Sequence, residues 1–447
     1  MRADLTAIFA AALAAVDPCR LLTARLTRRA DRLRIDLGPG ALWRPVSRIR
    51  VLGAGKAAAA MARALAEVLP EASGVVIAPR PARGGADAAR AGRIRILYGD
   101  HPVPSRATFA STAALLRALD RFPADATVLF LLSGGASALL AAPARGLTRA
   151  DKVALGRHLL RCGAPIEVMN AIRKHVSAVK GGRLALRAAP REVVTLALSD
   201  VPGDDLATIG SGPTVADPTT FAQAARHLRN AAQAGQPAPE RVLRYLEAGV
   251  RGRVDETPGN GDPRLRRARA FVIGGNATAL EAARRSATSL GYAVRGRRER
   301  LEGEAADCAR RLIGRLPRAP RVPTCILAGG ETFVTAAGST GAGGRCQEMA
   351  LAAARGLVGT GWTVLFAGTD GRDGRTAAAG AFSDGTTLAR AGRRAVDRAL
   401  RRHDSHPLLR ELGDVVRTGP TGTNVMDVVV ALHPGAGRTR RLAGGGA

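Results

Sequence analysis

The stretch from Thr127 to Leu140 narrows the fold more than any other. An apolar and β-branched run, Val128 to Leu132, stops at Ser133-Gly134-Gly135-Ala136-Ser137, and an Ala/Leu-rich segment follows. That order spells a buried strand, a tight glycine turn and a helix start, the recurring join of an α/β protein. At such a turn the first backbone N–H groups lack intrahelical partners, and glycines let an anion approach the main chain. Ser133, Gly134, Gly135 and Ser137 are therefore candidate phosphate ligands. An ordinary βα turn is the alternative, and this stretch alone leaves both open.

Similar joins recur along the chain. Arg48 to Leu52 predicts a strand running into Gly53-Ala54-Gly55-Lys56, then an alanine-rich helix to about Leu69. The spacing matches the G-x-G-x-x-A of a dinucleotide site, but the next strand, Gly74 to Ala78, ends in Pro79-Arg80 with no carboxylate for a ribose. A lysine inside the turn, Lys56, suits phosphate charge in either case. A strand at Ile94 to Leu97 leads to Gly99-Asp100-His101-Pro102, where His101 is either a substrate contact or a loop histidine. Read on one helix from Val168 to Leu184, Arg173 and Lys180 fall two turns apart as a cationic patch. The strand Val193 to Leu198 ends at Ser199-Asp200, and the carboxyl end of a strand is where open α/β sheets bind ligands. Asp200 is therefore placed for a magnesium ion or a proton.

The composition shifts near Asn230 to Arg269, where Pro- and Gly-rich stretches read as a linker. A second α/β unit begins at Ala270, with strands at Thr324 to Ala328, Thr332 to Thr335, Thr363 to Ala367 and Val425 to Leu432. A glycine-dense loop ends at Gly344-Arg345 before a helix, Met349 to Leu357, and an arginine there can clamp a transferring phosphoryl group. Gly368-Thr369-Asp370-Gly371 is an acidic turn, either functional or merely solvated. The expected boundaries are 1–240 for the first domain, 241–269 for the linker, 270–433 for the second domain and 434–447 for a disordered Gly/Arg-rich tail.

Charge and cysteine content remove several function classes. The formal charge of +30 would suit nucleic acid, but aromatics are 3% of the chain and the arginines are spread along helices rather than gathered in a tail. Only Lys56, Lys152, Lys174 and Lys180 are lysines among 67 Lys plus Arg. A lysine that persists against that bias is a candidate for a site needing a compact ammonium. Lys152, on a polar helix start, is expected to be a surface cation. Five scattered cysteines without a C-x-x-C pair fit a reducing cytoplasm, with neither a disulfide framework nor a zinc site. No apolar run approaches the roughly 18 to 20 residues of a membrane span, and Leu5 to Val16 reads as part of a first helix.

Strand ends carrying glycines, hydroxyls, aspartates, one lysine and one loop arginine are what phosphoryl transfer needs, although Walker A and H-R-D sequences are absent. At this point the chain resembles the glycerate 2-kinase family, with an N-terminal glycerate-kinase (DUF4147) domain and a C-terminal MOFRL domain. The resemblance runs through Gly53 to Ala57, Gly99 to Pro104, Ser133 to Leu139, Asn170 to Leu184, Ser199 to Thr214, Gly344 to Glu348, Gly368 to Gly374 and Thr418 to Asp427. It implies two α/β domains, Rossmann-like and MOFRL-type, with an active-site cleft between them. It also implies ATP- and Mg2+-dependent phosphorylation of the 2-hydroxyl of D-glycerate in the cytoplasm.

By the same resemblance Lys56 and Arg345 serve catalysis, Asp200 supports the metal or the nucleophilic hydroxyl, and Asp370 and Asn424 line the second domain's side of the cleft. No nucleic-acid or membrane partner is expected, and a homodimer stays open beside a monomer. The chain departs from the family pattern at Cys346 and Met426, where Asn is usual, and at Ala136, which replaces a glycine. Members of the family are also labelled hydroxypyruvate reductases, so an NAD(P)H-dependent reductase using the Gly53 turn is the competing expectation.

Overall fold

The strand that ends in Ser133 sits inside a seven-stranded sheet, and all seven of its residues are buried. The computed structural model describes residues 1–38, 40–81, 88–233, 237–295, 299–335 and 339–436. The chain divides into two compact units: Pro18–Ile273, and Met1–Asp17 with Gly274–Ala447. We call them the parallel-sheet unit and the mixed-sheet unit.

The parallel-sheet unit opens with an antiparallel ribbon of β1 (Leu26–Arg29), β2 (Arg32–Asp36) and β3 (Ala41–Pro45). This region reads from the sequence as a polar connection, because Arg32 and Arg34 hide the alternation of the buried Leu33 and Ile35. The main sheet contains β4 (Ile49–Ala54), β5 (Ser73–Pro79), β6 (Ala88–Ala91), β7 (Arg93–Gly99), β8 (Thr127–Ser133), β9 (Glu192–Leu198) and β10 (Ala268–Gly274). Their order is β10-β9-β8-β4-β5-β7-β6, with β9, β8, β4, β5 and β7 mutually parallel and β6 antiparallel to β7. Parallel order gathers the C-terminal ends of β4, β8 and β9 on one edge, where the glycine turns lie.

The expected 241–269 linker is instead integrated into this unit. Helix Glu240–Val250 packs on helix Phe221–Gln233, and Val242 and Leu246 are buried with Phe221, Ala224 and Leu228. The Pro/Gly signal marks a surface loop after that helix, not a boundary. The expected helix from 168 to 184 is two helices, Ile166–His175 and Arg183–Ala188. The turn between them holds Gly181 and Gly182 at positive φ.

The mixed-sheet unit contains β11 (Ala293–Val294), β12 (Glu299–Leu301), β13 (Thr324–Gly330), β14 (Thr363–Gly368), β15 (Gly380–Asp384), β16 (Val415–Val416) and β17 (Asp427–His433). The order is β11-β13-β17-β14-β15-β16, with β12 also on β13, and every pair from β13 to β16 is antiparallel. Phe333 forms only a lone bridge with Glu304, so no strand spans 332–335. The helix expected from Met349 starts four residues earlier, at Arg345.

The first helix, Arg2–Ala15, belongs here and not to the first domain. Leu5, Ile8, Phe9 and Ala12 are buried, Asp4 accepts from Tyr292 Oη (2.6 Å), and Thr423 Oγ1 donates to the Val16 carbonyl (2.8 Å). No helix among the described residues is long and apolar enough to cross a membrane, and all five cysteines are free. The tail expected from 434 lies outside the described residues beyond Ala436.

Candidate active site

In the parallel-sheet unit the turns after β4 and β8 lock into each other. A side chain on Gly55 (φ +138°) would overlap Ser133. The Lys56 N–H donates to the Gly134 carbonyl (2.8 Å), the Ala57 N–H to Ser133 Oγ (3.0 Å) and the Ala58 N–H to the Gly55 carbonyl (3.2 Å). Ser133, 1% exposed, thus accepts from the neighbouring turn. The helix after the second turn is a single turn, Ala136–Leu139, so its dipole contributes far less than the sequence reading assumes.

What this locking achieves is a cluster of side chains around two glycines. A Cβ on Gly134 would overlap the Asp200 carboxylate, and a Cβ on Gly135 (φ +80°) would stand 3.2 Å from the His101 ring and 3.3 Å from Lys56 Cγ. Burial raises the Asp200 pKa, opposed by the Lys56 charge. His101 is exposed by its surface area, yet desolvation and then Lys56 push its pKa down to about 4. At neutral pH His101 is an uncharged hydrogen-bonding group beside an ammonium.

Ser137, on the single helical turn that follows Gly135, has its own set of contacts. Its Oγ lies 2.9 Å from Ser211 Oγ, and Lys180 Nζ donates to the Ser137 carbonyl (2.6 Å) and hydroxyl (3.0 Å). Lys180 is 2% exposed, and its pKa is driven well down by burial and then by Lys152 and Arg173. Lys152 is half-buried, its Nζ 3.3 Å from the Val176 carbonyl. Burial, Arg173 and Arg183 bring its pKa to about 7, so it is not the surface cation expected from the sequence. The Arg173–Lys180 patch therefore exists, but a chain reversal after His175 brings it together, not one helix face.

In the mixed-sheet unit Arg345 Nε and Nη2 grip the carboxylate of Asp427 (2.5 and 2.8 Å), and Nη1 lies 3.1 Å from Glu331. The guanidinium pKa is held up by Asp427 and Glu331 against burial. Asp427, fully buried, has its pKa raised by burial against the pull of Arg345. Asp370 joins this group: a Cβ on Gly368 would meet Asp427 Oδ1 at 3.3 Å and Asp370 Oδ1 at 3.5 Å. Asn424 Oδ1 accepts from the Met426 N–H (3.2 Å), a local turn that leads into β17.

Asp373 accepts from the Cys346 and Gln347 N–H groups (3.1 and 2.9 Å) and caps the helix that begins with Arg345. Burial pushes its pKa up to about 6. Burial and the acids Asp427 and Asp373 also keep the Cys346 thiol protonated. The sequence reading missed Asp427 and Asp373 as partners of this helix start, although both lie within motifs it singled out.

Over residues 4–247 the chain matches the family described as a domain of unknown function (DUF4147), and over residues 324–427 the MOFRL family. A glycerate 2-kinase from Pyrococcus horikoshii is 35% identical over 429 residues, covering 94% of each chain. An Agrobacterium vitis protein provisionally named hydroxypyruvate reductase is 39% identical over 445 residues, covering 96% of this chain and 94% of its own. The crystal structure of a glycerate kinase from Thermotoga maritima is similar with a TM-score of 0.79 at 33% identity, covering 95% of this chain and 97% of its own.

Proposed function

The chain belongs to the DUF4147–MOFRL family, and from that premise we propose that it is a glycerate 2-kinase, moving the γ-phosphoryl group of ATP to the 2-hydroxyl of D-glycerate. The observation that carries this reading is the grouping of Lys56, Asp200 and His101 around Gly134 and Gly135. The 2-hydroxyl oxygen forms a bond to the γ-phosphorus, the bond from that phosphorus to the β–γ bridging oxygen breaks, and the products are 2-phosphoglycerate and ADP. Asp200 takes the hydroxyl proton, and its raised pKa makes it a stronger base than an exposed carboxylate. Lys56 offers a compact positive charge to the transferring group, and Gly134 and Gly135 leave room for it.

Magnesium keeps several waters and takes one or two carboxylates plus phosphate oxygens. Among the described residues no group of three metal-binding side chains exists, so a closed protein cage does not fit. Asp200 is a single carboxylate facing an ammonium and suits the proton better than the metal. Asp370 and Glu331, beside the Arg345–Asp427 pair, suit a hydrated magnesium carrying nucleotide phosphates. When bound, the ion neutralises charge on the β- and γ-phosphate oxygens. Arg345 is held by Asp427 in one orientation, which pre-organises a guanidinium for the γ-phosphate. A reducing cytoplasm is the compartment this reading expects.

A reductase would need the Gly53 turn to receive a pyrophosphate. That is disfavoured, because the N–H groups of Lys56, Ala57 and Ala58 are already given to Gly134, Ser133 and Gly55. The test is turnover with ATP, Mg2+ and D-glycerate beside turnover with NADH and hydroxypyruvate, in the wild type and Lys56→Arg. We expect 2-phosphoglycerate from the first pair only, and a loss of roughly 100-fold or more in kcat for Lys56→Arg despite its retained charge. NADH oxidation without a phosphorylated product would overturn the kinase reading.

A further inference from the structure

We infer that Lys152, Arg173 and Lys180, with Ser137 and Ser211, form the pocket that holds the carboxylate of the acceptor acid, an inference that rests on the acceptor being a 2-hydroxy acid. The observation behind it is a group of three basic side chains, Lys180 buried and Lys152 and Arg173 half-buried, that no acid partners among the described residues. Elsewhere in this unit the buried Lys174 meets Asp217 at 3.0 Å, and the half-buried Arg44 meets Glu192 at 2.6 Å. Among the described residues Lys152, Arg173 and Lys180 form no ion pair, although Lys180 is 2% exposed. Crowded cations without a counter-charge are costly unless an anion completes them.

The polar groups at hand hold one another in place beside Lys180, whose ammonium has a third proton left for an anion. Lys180 is fixed by the Ser137 carbonyl and hydroxyl; Ser137 Oγ lies 2.9 Å from Ser211 Oγ, which itself donates to Asn170 Oδ1 (3.1 Å). Ser211 is fully buried and at φ +63°, a strained conformation that a polar site can require.

The position selects the carboxylate over the nucleotide. Ser137 is two residues beyond Gly135, which packs on Lys56 and His101. In a 2-hydroxy acid the carboxylate is one carbon from the reacting hydroxyl. A carboxylate at Lys180 and Ser137 therefore leaves that hydroxyl on the side of Gly135, Lys56 and Asp200. The pocket also explains why lysine persists in a chain that otherwise uses arginine: the space is bounded by the Ala136–Leu139 turn and suits a compact ammonium.

The test is calorimetric titration of D-glycerate into the full-length protein without nucleotide, together with KM values for D-glycerate and ATP. The variants are Lys180→Gln and, at a half-buried position, Lys152→Gln, with Lys152→Arg as the charge-retaining control. We expect each Gln variant to weaken glycerate binding and raise its KM roughly 10- to 100-fold, with the KM for ATP within about twofold of the wild type and partial recovery in Lys152→Arg. A rise in the ATP KM with an unchanged glycerate KM would assign the cations to nucleotide phosphate and overturn the inference. Unchanged values for both substrates in a wild type that turns over glycerate would overturn it while leaving the kinase reading intact. Glycerate binding that the Gln variants abolish, in a protein that transfers no phosphoryl group, would support the pocket and overturn the kinase reading.

Discussion

In the parallel-sheet unit Lys56, Lys152, Arg173, Lys180 and Arg183 are the basic groups that act on one another or on the strand-end acid Asp200 among the described residues. In the mixed-sheet unit the balance is reversed: Asp427, Asp370, Glu331 and Asp373 accompany a single guanidinium, Arg345. The difference also lies in pairing. Arg345 is gripped by two oxygens of a fully buried carboxylate, whereas among the described residues Lys180 reaches a carbonyl and a hydroxyl and no carboxylate. A buried charge with its partner built in is part of the fold, and a buried charge without one awaits a ligand. Cation-rich strand ends suit an anionic acid, and acid-rich strand ends suit a nucleotide that arrives with its metal.

The comparison breaks most decisively at Asp427. Asp427→Asn removes the charge that opposes Arg345, and we expect a loss of about 3–5 kcal/mol in the stability of the mixed-sheet unit. Denaturant unfolding would measure it, and a loss below about 1 kcal/mol would show that the pair is not what holds this strand end together.

Next in size is the pH dependence carried by Asp373. Its pKa is higher folded, about 6, than the ordinary 3.8, so folding takes up a proton between those values. Its contribution is full below the unfolded pKa and is lost as pH rises through about 6, a change of about 3 kcal/mol. In Asp373→Asn the group cannot titrate, so wild-type stability relative to the variant should fall by about that amount between pH 3 and pH 7. A difference flat with pH would mean that folding leaves the Asp373 pKa unshifted.

The smallest effect is expected where the charge is unpaired. Lys180→Met loses two hydrogen bonds to Ser137 but also removes the cost of burying an ammonium without a counter-ion. The stability of the parallel-sheet unit should change by less than about 1 kcal/mol. A loss as large as that of Asp427→Asn would erase the distinction between the two regions.

Much of the site was legible because its residue types are costly or rare. Glycine at 134 and 135 marks close approach, and the structure fills the space a Cβ would take with Asp200, Lys56 and His101. Rarity of lysine singled out Lys56, Lys174 and Lys180; Lys174 is instead a buried partner of Asp217, and the same argument, applied without exception, would also have kept Lys152. Polar neighbours at a helix start suggested a surface, and only packing shows that Lys152 is half-buried. The departure at Met426 also acquires a reason: the residue sits at φ +70°, where asparagine is far better tolerated than methionine. Nothing in the structure explains why this chain kept Met there.

By itself the sequence determined the α/β class, the strands that carry the glycine turns and the identity of the groups available for chemistry. These follow from local periodicity, turn composition and residue type, all of which are written along the chain. The tertiary structure alone decided that the first helix packs with the second unit, that 241–269 is not a boundary and that Arg345 is paired with Asp427 across 82 residues. It also decided that Lys152, Arg173 and Lys180 act on one another while forming no ion pair among the described residues. Such outcomes depend on which strands become neighbours and which charges are desolvated together, and a linear pattern of residues carries no measure of either.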